Sequence, residues 1–430
     1  MRFSDLFAVS LAVPMVAAHG SGAGLPKIFG LGDTKLRLRQ PSNSHAKRVS
    51  DPHQDSQLVP RQGLKVERCG PENGGVSCEE GYCCSIAGWC GNSKDYCKAP
   101  DCMFEYGPAC DANKVPSGPD TTDVDRSQRG SIPVGGEGVY HCKVPGTVAI
   151  TYDDGPFEYT EDILDQLKEA DVKATFFVTG NNIGKGTIDD PSKPWPALLR
   201  RMIEEGHQIG SHTWSHEDLG KIKKEDRISQ MIKLEMAVNN VLGYFPTYMR
   251  PPYSSCAPGT GCQEDMADLG YVISYFDVNT DDYNQNEPED FANAQKIFDD
   301  FLVDSNSDTD KFLAIAHDIV EQTASKLTGH MIKTLKEKGY RGVTMGECLD
   351  DPKENWYRSN STVPSAGASS TASTSSPAST GTGSATEESG APEASSTGET
   401  QTSDGTRFSQ SGFWLVYPGL LALYATFSSV

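Results

Sequence analysis

Between Cys69 and Cys110 the chain places eight of its twelve cysteines within 42 residues. A segment that short buries too little apolar surface to fold unaided, so cross-links must supply the stability. The order is Cys69, Cys78, Cys83-Cys84, Cys90, Cys97, Cys102 and Cys110. Zinc ribbons use paired C-x-x-C knuckles, which this order lacks. The N-terminus supplies the context. Met1-Arg2 precedes the mostly apolar residues 6–16, and Val16-Ala17-Ala18 closes a core too short to span a bilayer. That pattern predicts a secretory signal over 1–18, and an even number of cysteines suits the oxidising compartment beyond it. Spacing alone leaves the disulfide connectivity open.

The rest of the chain divides by composition. Residues 19–63 show no sustained period and read as disordered or as a propeptide; Lys47-Arg48 is either a processing site or part of a solvated tail. The cysteine-rich segment spans 64–112, and a polar, Pro- and Gly-containing linker spans 113–138. Residues 139–350 read as a globular domain. From 356 to 403 the chain is Ser, Thr, Ala, Gly and Pro with almost no apolar bulk, which predicts an extended, O-glycosylated stalk. Asn360-Ser361-Thr362 is an N-glycosylation sequon at its base. Residues 404–430 hold a polar spacer and a short apolar tail, the pattern of a glycosylphosphatidylinositol signal with Ser403 as attachment point. A transmembrane helix is the alternative, disfavoured by the tail's shortness and Pro418. The expected location is therefore the outer face of the plasma membrane, with transfer to a wall as a further step. The net charge of −21 argues against a nucleic-acid partner, and no protein partner is evident.

Within 139–350, short apolar runs at 148–152, 174–179, 207–210, 272–278 and 312–316 alternate with helical spacing at 160–170, 196–205, 224–242 and 324–338. Alternation of this kind predicts an α/β fold with a distorted parallel (β/α) barrel. Polar clusters follow the runs. They are Asp153-Asp154, Ser211-His212-Thr213-Trp214-Ser215-His216, Arg250-Pro251-Pro252-Tyr253, Asn279-Thr280-Asp281-Asp282-Tyr283 and His317-Asp318. Strand ends of a parallel barrel share one face, where such folds place their chemistry. Two adjacent carboxylates there are costly unless a cation holds them. One Asp can ligate a metal while the other takes a proton; the bland alternative is a helix N-cap. His212 and His216 are four apart, so on a helical turn both imidazoles point one way. With one carboxylate they make a three-ligand site with open positions, the arrangement of a hydrolytic metal.

Two resemblances follow from these residues. Cys69-Gly70, Cys83-Cys84-Ser85, Gly88-Trp89-Cys90-Gly91 and Tyr96-Cys97 resemble a hevein-type chitin-binding module, carbohydrate-binding module family 18. The resemblance implies pairs Cys69–Cys84, Cys78–Cys90, Cys83–Cys97 and Cys102–Cys110, with Ser85 bonding an N-acetyl group and Trp89 and Tyr96 stacking on sugar rings. Ala87 stands where hevein has a further aromatic. The second domain resembles the polysaccharide deacetylases of carbohydrate esterase family 4, and among them the fungal chitin deacetylases. The matching motifs are Thr-Tyr-Asp-Asp-Gly-Pro at 151–156, Ser-His-Thr-Trp-Ser-His at 211–216, Arg-Pro-Pro-Tyr at 250–253, Asp-Asp-Tyr at 281–283 and Ile-Ala-His-Asp at 315–318.

That second resemblance implies Asp154, His212 and His216 as ligands of a divalent metal, Zn2+ first and Co2+ as the alternative. It implies Asp153 as general base, His317 as general acid, Arg250 orienting Asp153, Asp282 orienting His317, and the Tyr253 backbone N–H at the oxyanion and substrate site. It also implies pairs Cys142–Cys348 and Cys256–Cys262. Asn279, Tyr283 and Ile315 depart from residues common at those family positions. The implied activity is removal of N-acetyl groups from chitin and N-acetylglucosamine oligomers. The competing expectations are a non-catalytic chitin-binding wall protein, and a deacetylase for another acetylated polysaccharide such as peptidoglycan or xylan.

Overall fold

In the computed structural model the described residues are 67–285 and 291–359. The signal, the 19–63 stretch, Asn360, Ser403 and the anchor segment lie outside them. Among the described residues no helix is long and apolar enough to cross a membrane.

The cysteine-rich segment is built around sulfur. Strand β1 (Cys83–Cys84) pairs antiparallel with β2 (Cys90–Gly91), and the short α1 (Lys94–Cys97) closes the unit. Disulfides join Cys69 to Cys84, Cys78 to Cys90, Cys83 to Cys97 and Cys102 to Cys110. Their buried sulfurs occupy the interior that a longer chain would fill with aliphatic groups.

The 113–138 stretch, expected as a linker, is no free tether. Thr121 and Ile132 are buried, and the Arg126 guanidinium grips Glu235 at 2.6 Å. The module itself is bonded to the second domain. Ile183 N–H donates to Ala99 O at 2.7 Å, Asn181 Nδ2 to Asp111 O at 3.2 Å, and Lys223 Nζ meets Glu105 at 2.7 Å. Side chains of the second domain hold the backbone of the 113–138 stretch, Asn240 Nδ2 donating to Ser117 O and Arg358 Nη1 to Asp125 O and Ser127 O, which composition alone does not reveal.

The second domain is a parallel barrel left incomplete in its hydrogen bonding. Strand β3 (Thr147–Asp153) is buried at all seven positions. Its helix α2 (Thr160–Glu169) leads to β4 (Thr175–Val178), α3 (Trp195–Glu204) to β5 (Gln208–Ser211), and α4 (Lys224–Leu242) to β6 (Phe245–Pro246) and β7 (Tyr248–Met249). After α5 (Cys262–Asp268) come β8 (Val272–Ile273), β9 (Val278–Asn279), α6 (Ala292–Leu302), β10 (Phe312–His317), α7 (Thr328–Glu337), β11 (Arg341–Val343), α8 (Met345–Cys348) and β12 (Tyr357–Arg358). The sheet order is β8-β7-β5-β4-β3-β10-β9, with β11 sharing one edge of β3 with β4. The expected single strand over 272–278 is instead two short strands at opposite ends of this sheet. Residues 272–279 therefore close the barrel along the chain, where hydrogen bonds do not. Residues 356–358, assigned above to the stalk, belong to the domain. Trp356 is buried and β12 pairs antiparallel with β6.

Helices α2, α3, α4, α6 and α7 pack apolar faces on the outside of the sheet, joining Ile150, Phe176 and Leu199 in one core. Gly206 and Gly243 end α3 and α4 with φ of 84° and 80°, a conformation costly for a side chain. Cys142–Cys348 ties the domain's start to its end, and Cys256–Cys262 anchors the first turn of α5.

Candidate active site

The strand ends gather at one face of the barrel. Asp153 closes β3, His317 closes β10 beside it in register, and Ser211 closes β5 just before His212. Asp154 follows with φ 80°, which swings its carboxylate across the sheet end rather than along it. No N-cap role remains for this pair, since Tyr159 occupies the N-cap position of α2. The next residue must be glycine: a Cβ on Gly155 would stand 1.9 Å from the Asp318 carboxylate.

The two histidines do not sit on a helical turn. They flank a loop in which Thr213 and His216 have φ of 70° and 61°. Gln230 of α4 pins that loop, accepting from Ser215 N–H at 2.8 Å and donating to Ser215 Oγ at 2.7 Å. The outcome is the convergence expected of the pair, by another route: the ring centroids are 4.9 Å apart. His216 Nε2 lies 3.1 Å from Asp154 Oδ1, and His212 Nε2 lies 3.4 Å from the same oxygen.

Asp154, His212 and His216 thus offer three ligand atoms within 4.8 Å of one another, all buried. Asp154 Oδ1 and His216 Nε2 have no hydrogen-bond partner. Orphaned buried polar atoms are expensive, and a cation between them removes the cost. The donor set of two imidazoles and one carboxylate fits a divalent transition metal with open positions. His212 Nδ1 lies 2.7 Å from Arg250 O, an atom that only accepts, so the proton is on Nδ1 and the Nε2 lone pair faces the site. Burial pulls His212 down to about 4, keeping it neutral as a ligand must be. Burial opposes the charge on Asp154, yet His216 and His212 beside it hold its carboxyl well below the usual range.

Asp153 is held from one side. Arg250 Nη1 donates to its Oδ1 at 2.7 Å and to Thr151 Oγ1 at 2.6 Å, while Nη2 reaches Tyr275 O at 2.7 Å. Asp153 Oδ2 is left toward His212, 3.7 Å from Nε2. His317 is gripped as firmly. Asp282 Oδ1 accepts from Nδ1 at 2.8 Å, and Oδ2 accepts from the His317 N–H at 2.7 Å and Thr323 Oγ1 at 2.6 Å. Burial would lower the imidazole, but the Asp282 carboxylate outweighs it and pushes His317 up to about 9. Nε2 is left as the free donor.

Asp153, His212, Arg250 and His317 line a pocket with Tyr253, Phe276, Tyr283 and Ile315. Its innermost space is about 10 Å³, room for one water-sized body. Tyr253 has φ 58°, and its ring meets His216 edge-on at 4.7 Å. On the module, Trp89 is half exposed, with the Arg68 guanidinium 4.0 Å over one face. Tyr96 lies flat on Gly91, and Ser85 Oγ lies 3.3 Å from Trp89 N.

A polysaccharide deacetylase signature matches residues 141–273, and a chitin recognition protein signature matches residues 68–110. A chitin deacetylase from Colletotrichum lindemuthianum is 45% identical over 239 residues, 55% of this chain and 93% of that protein. The chain belongs to the polysaccharide deacetylase family. A probable peptidoglycan-N-acetylglucosamine deacetylase from Arthroderma benhamiae is 38% identical over 238 residues, 55% of this chain and 52% of that protein. The solved structure of the C. lindemuthianum chitin deacetylase matches with a TM-score of 0.50 at 45% identity, covering 53% of this chain and 97% of that one. Deacetylases of this family are metal-dependent, in keeping with the buried Asp-His-His cluster.

Sequence reasoning missed part of this deacetylase site. Lys185 is buried beneath the Asp154-Gly155 turn, donating to both carbonyls at 3.0 and 2.8 Å and to Thr179 Oγ1 at 2.8 Å. Burial pulls its ammonium below the ordinary lysine value while pushing the nearby Asp318 carboxyl up. Thr160 Oγ1 holds Asp318 at 2.6 Å. Nothing local marks Lys185; only the fold brings it under the turn. Phe276, which lines the pocket, lies inside the run assigned to a continuous strand.

Proposed function

We propose that this protein is a metal-dependent hydrolase that removes N-acetyl groups from chitin and N-acetylglucosamine oligomers, giving glucosamine units and acetate. One observation carries the reading. A base and an acid, each fixed by its own partner, flank a cluster of three ligands whose buried atoms want a cation. Asp154, His212 and His216 would hold the ion, and their donor set favours zinc over cobalt only weakly. A divalent ion held there supplies Lewis acidity, making a water acidic toward a pKa of about 7 and drawing charge from the amide carbonyl.

The chain's own residues do the rest. Asp153 takes the proton of the attacking water through Oδ2, since Oδ1 is committed to Arg250. The water oxygen bonds to the acetyl carbon, and the Tyr253 backbone N–H helps meet charge on the carbonyl oxygen. His317, protonated at neutral pH, gives its Nε2 proton to the sugar nitrogen as the C–N bond breaks. Acetate leaves and the amine stays on the polymer. Phe276, Tyr283 and Ile315 make an apolar wall suited to the acetyl methyl.

The module favours chitin over peptidoglycan or acetylated xylan, because residues 68–110 match a chitin recognition signature and Trp89 and Ser85 offer an aromatic and a hydroxyl to an N-acetylated sugar. It would raise the local concentration of insoluble polymer at the catalytic pocket. A secretory signal, stalk and glycosylphosphatidylinositol anchor would place the protein outside the cell, on the membrane facing the wall. Incubating the purified protein in parallel with N-acetylglucosamine oligomers, peptidoglycan fragments and acetylated xylan tests the reading. Acetate release is expected from the chitin oligomers at the highest kcat/KM; preference for either other polymer would overturn the assignment.

A further inference from the structure

One loop, residues 179–185, braces the backbone that carries all three metal ligands. At its start Thr179 donates its N–H to Gly155 O at 3.0 Å and its Oγ1 to Asp154 O at 2.6 Å. At its end Lys185 donates to the same two carbonyls. Between these, Gly180 N–H donates to Thr213 O at 3.2 Å and Asn181 N–H to Trp214 O at 2.6 Å. Thr213 and Trp214 lie between His212 and His216. The loop therefore holds both the turn of Asp154 and the turn of the two imidazoles.

The module grips this loop from its other side. Ile183 has φ 46°, a conformation costly for a β-branched residue, and its N–H donates to the module's Ala99 O at 2.7 Å. Gly184, with φ 70°, leaves no room for a Cβ against Lys94 of α1. Asn181 Nδ2 reaches Asp111 O at 3.2 Å, and the same carbonyl accepts from Trp214 Nε1 at 3.4 Å. The Trp214 indole is fully buried and lies on Gly180. Ala112 O, next in the chain, accepts from Lys233 Nζ of α4 at 2.8 Å. Strained backbone persists only where its surroundings over-determine it, and for this loop those surroundings include the module.

Asp111 and Ala112 fall between the two matched signatures, 68–110 and 141–273, so neither family pattern accounts for this brace. We propose that the module is a positioning element of the metal site, holding Asp154, His212 and His216 in place through loop 179–185, with Asn181 and Trp214 transmitting its grip. The module then serves the reaction as well as the capture of polymer. This inference concerns how tightly the ion is held, and it rests on the deacetylase reading only for what the ion does.

The test titrates Zn2+ into the metal-free full-length protein against a competing chelator, with Tm recorded alongside. Asn181→Leu removes the donor to Asp111 at similar volume. Lys233→Met, at a half-buried helix position, is the milder cut and removes the donor to Ala112. Zn2+ affinity is expected to fall about tenfold in Asn181→Leu and about threefold in Lys233→Met. Lys223→Met cuts only the exposed pair with Glu105 and should stay within about twofold of native. A merely structural join would lower the Tm of the metal-free protein and leave Zn2+ affinity alone. Affinity within about twofold of native in both Asn181→Leu and Lys233→Met overturns the proposal, whatever the Tm does, and so does an equal loss in Lys223→Met. Acetate release by the native protein, measured separately, reports on the deacetylase reading: Zn2+ bound without acetate released sinks that reading and leaves the affinities to decide this one.

Discussion

Replacing Asp282 by Asn tests how the acid is made. The Asp282 carboxylate bonds His317 twice, at Nδ1 and at the backbone N–H, and is what pushes this buried imidazole up to about 9. Asn keeps the volume and can still accept a hydrogen bond, so the fold should persist. It removes the largest support for the protonated form, leaving the more distant Asp154 and Asp153 to oppose burial, and the imidazole should fall toward its ordinary value of about 6.5. A fall from about 9 to 6.5 corresponds to roughly 3 kcal/mol of lost support for the protonated form. The protonated fraction then drops roughly 4-fold at pH 7 and roughly 30-fold at pH 8. The assay is kcat/KM for acetate release from N-acetylglucosamine tetramer across pH, with native and variant proteins at equal metal content. A divalent ion in the site lowers both alkaline limbs, so the separation between them is the quantity that decides. The variant's limb should lie about two pH units below the native one. Coincident limbs, with rates at pH 8 within about twofold, would refute the reasoning.

Lys185→Met removes the donor shared by the Asp154 and Gly155 carbonyls and should cost about 2–4 kcal/mol, read as a lowered Tm; a cost under about 1 kcal/mol would make the buried ammonium incidental. Burial pulls His207 down to about 4, and its Nδ1 accepts from Ala174 N–H at 3.1 Å. Between that value and the unfolded 6.5 the unfolded chain binds the extra proton, so this stability is present above about 6.5 and lost as pH falls toward 4. Urea titrations should show the native protein losing about 2 kcal/mol more than His207→Gln between pH 7 and pH 5. Trp89→Ala should lower acetate release from insoluble chitin about fivefold while leaving kcat/KM on short oligomers within about twofold; equal losses on both would place Trp89 in the fold rather than in binding.

Much of the catalytic face was legible because parallel strands export their terminal residues to one side. Asp153, Asp154, His212 and His317 stand at or beside strand ends, and the short buried runs before them are strong signals. What escaped depends on tertiary context. The His212–His216 spacing suggested a helical turn, whereas positive φ at Thr213 and His216 and the grip of Gln230 bring the imidazoles together. The 272–278 run has the apolar character of one strand, but Ser274 to Asp277 cross from one sheet edge to the other, which periodicity cannot express. Lys185 looks like any loop lysine until the chain folds over it. The 113–138 stretch has a linker's composition, yet Ile132 and the Arg126–Glu235 pair fasten it down.

Single-turnover acetate release from N-acetylglucosamine tetramer, comparing native protein with Asp153→Asn at matched bound metal, tests the central claim most directly. The account predicts that both proteins hold one divalent ion, that the native protein releases acetate and loses this on chelation, and that the variant releases none. Acetate release by the variant at the native rate, or none from the metal-loaded native protein, would contradict it.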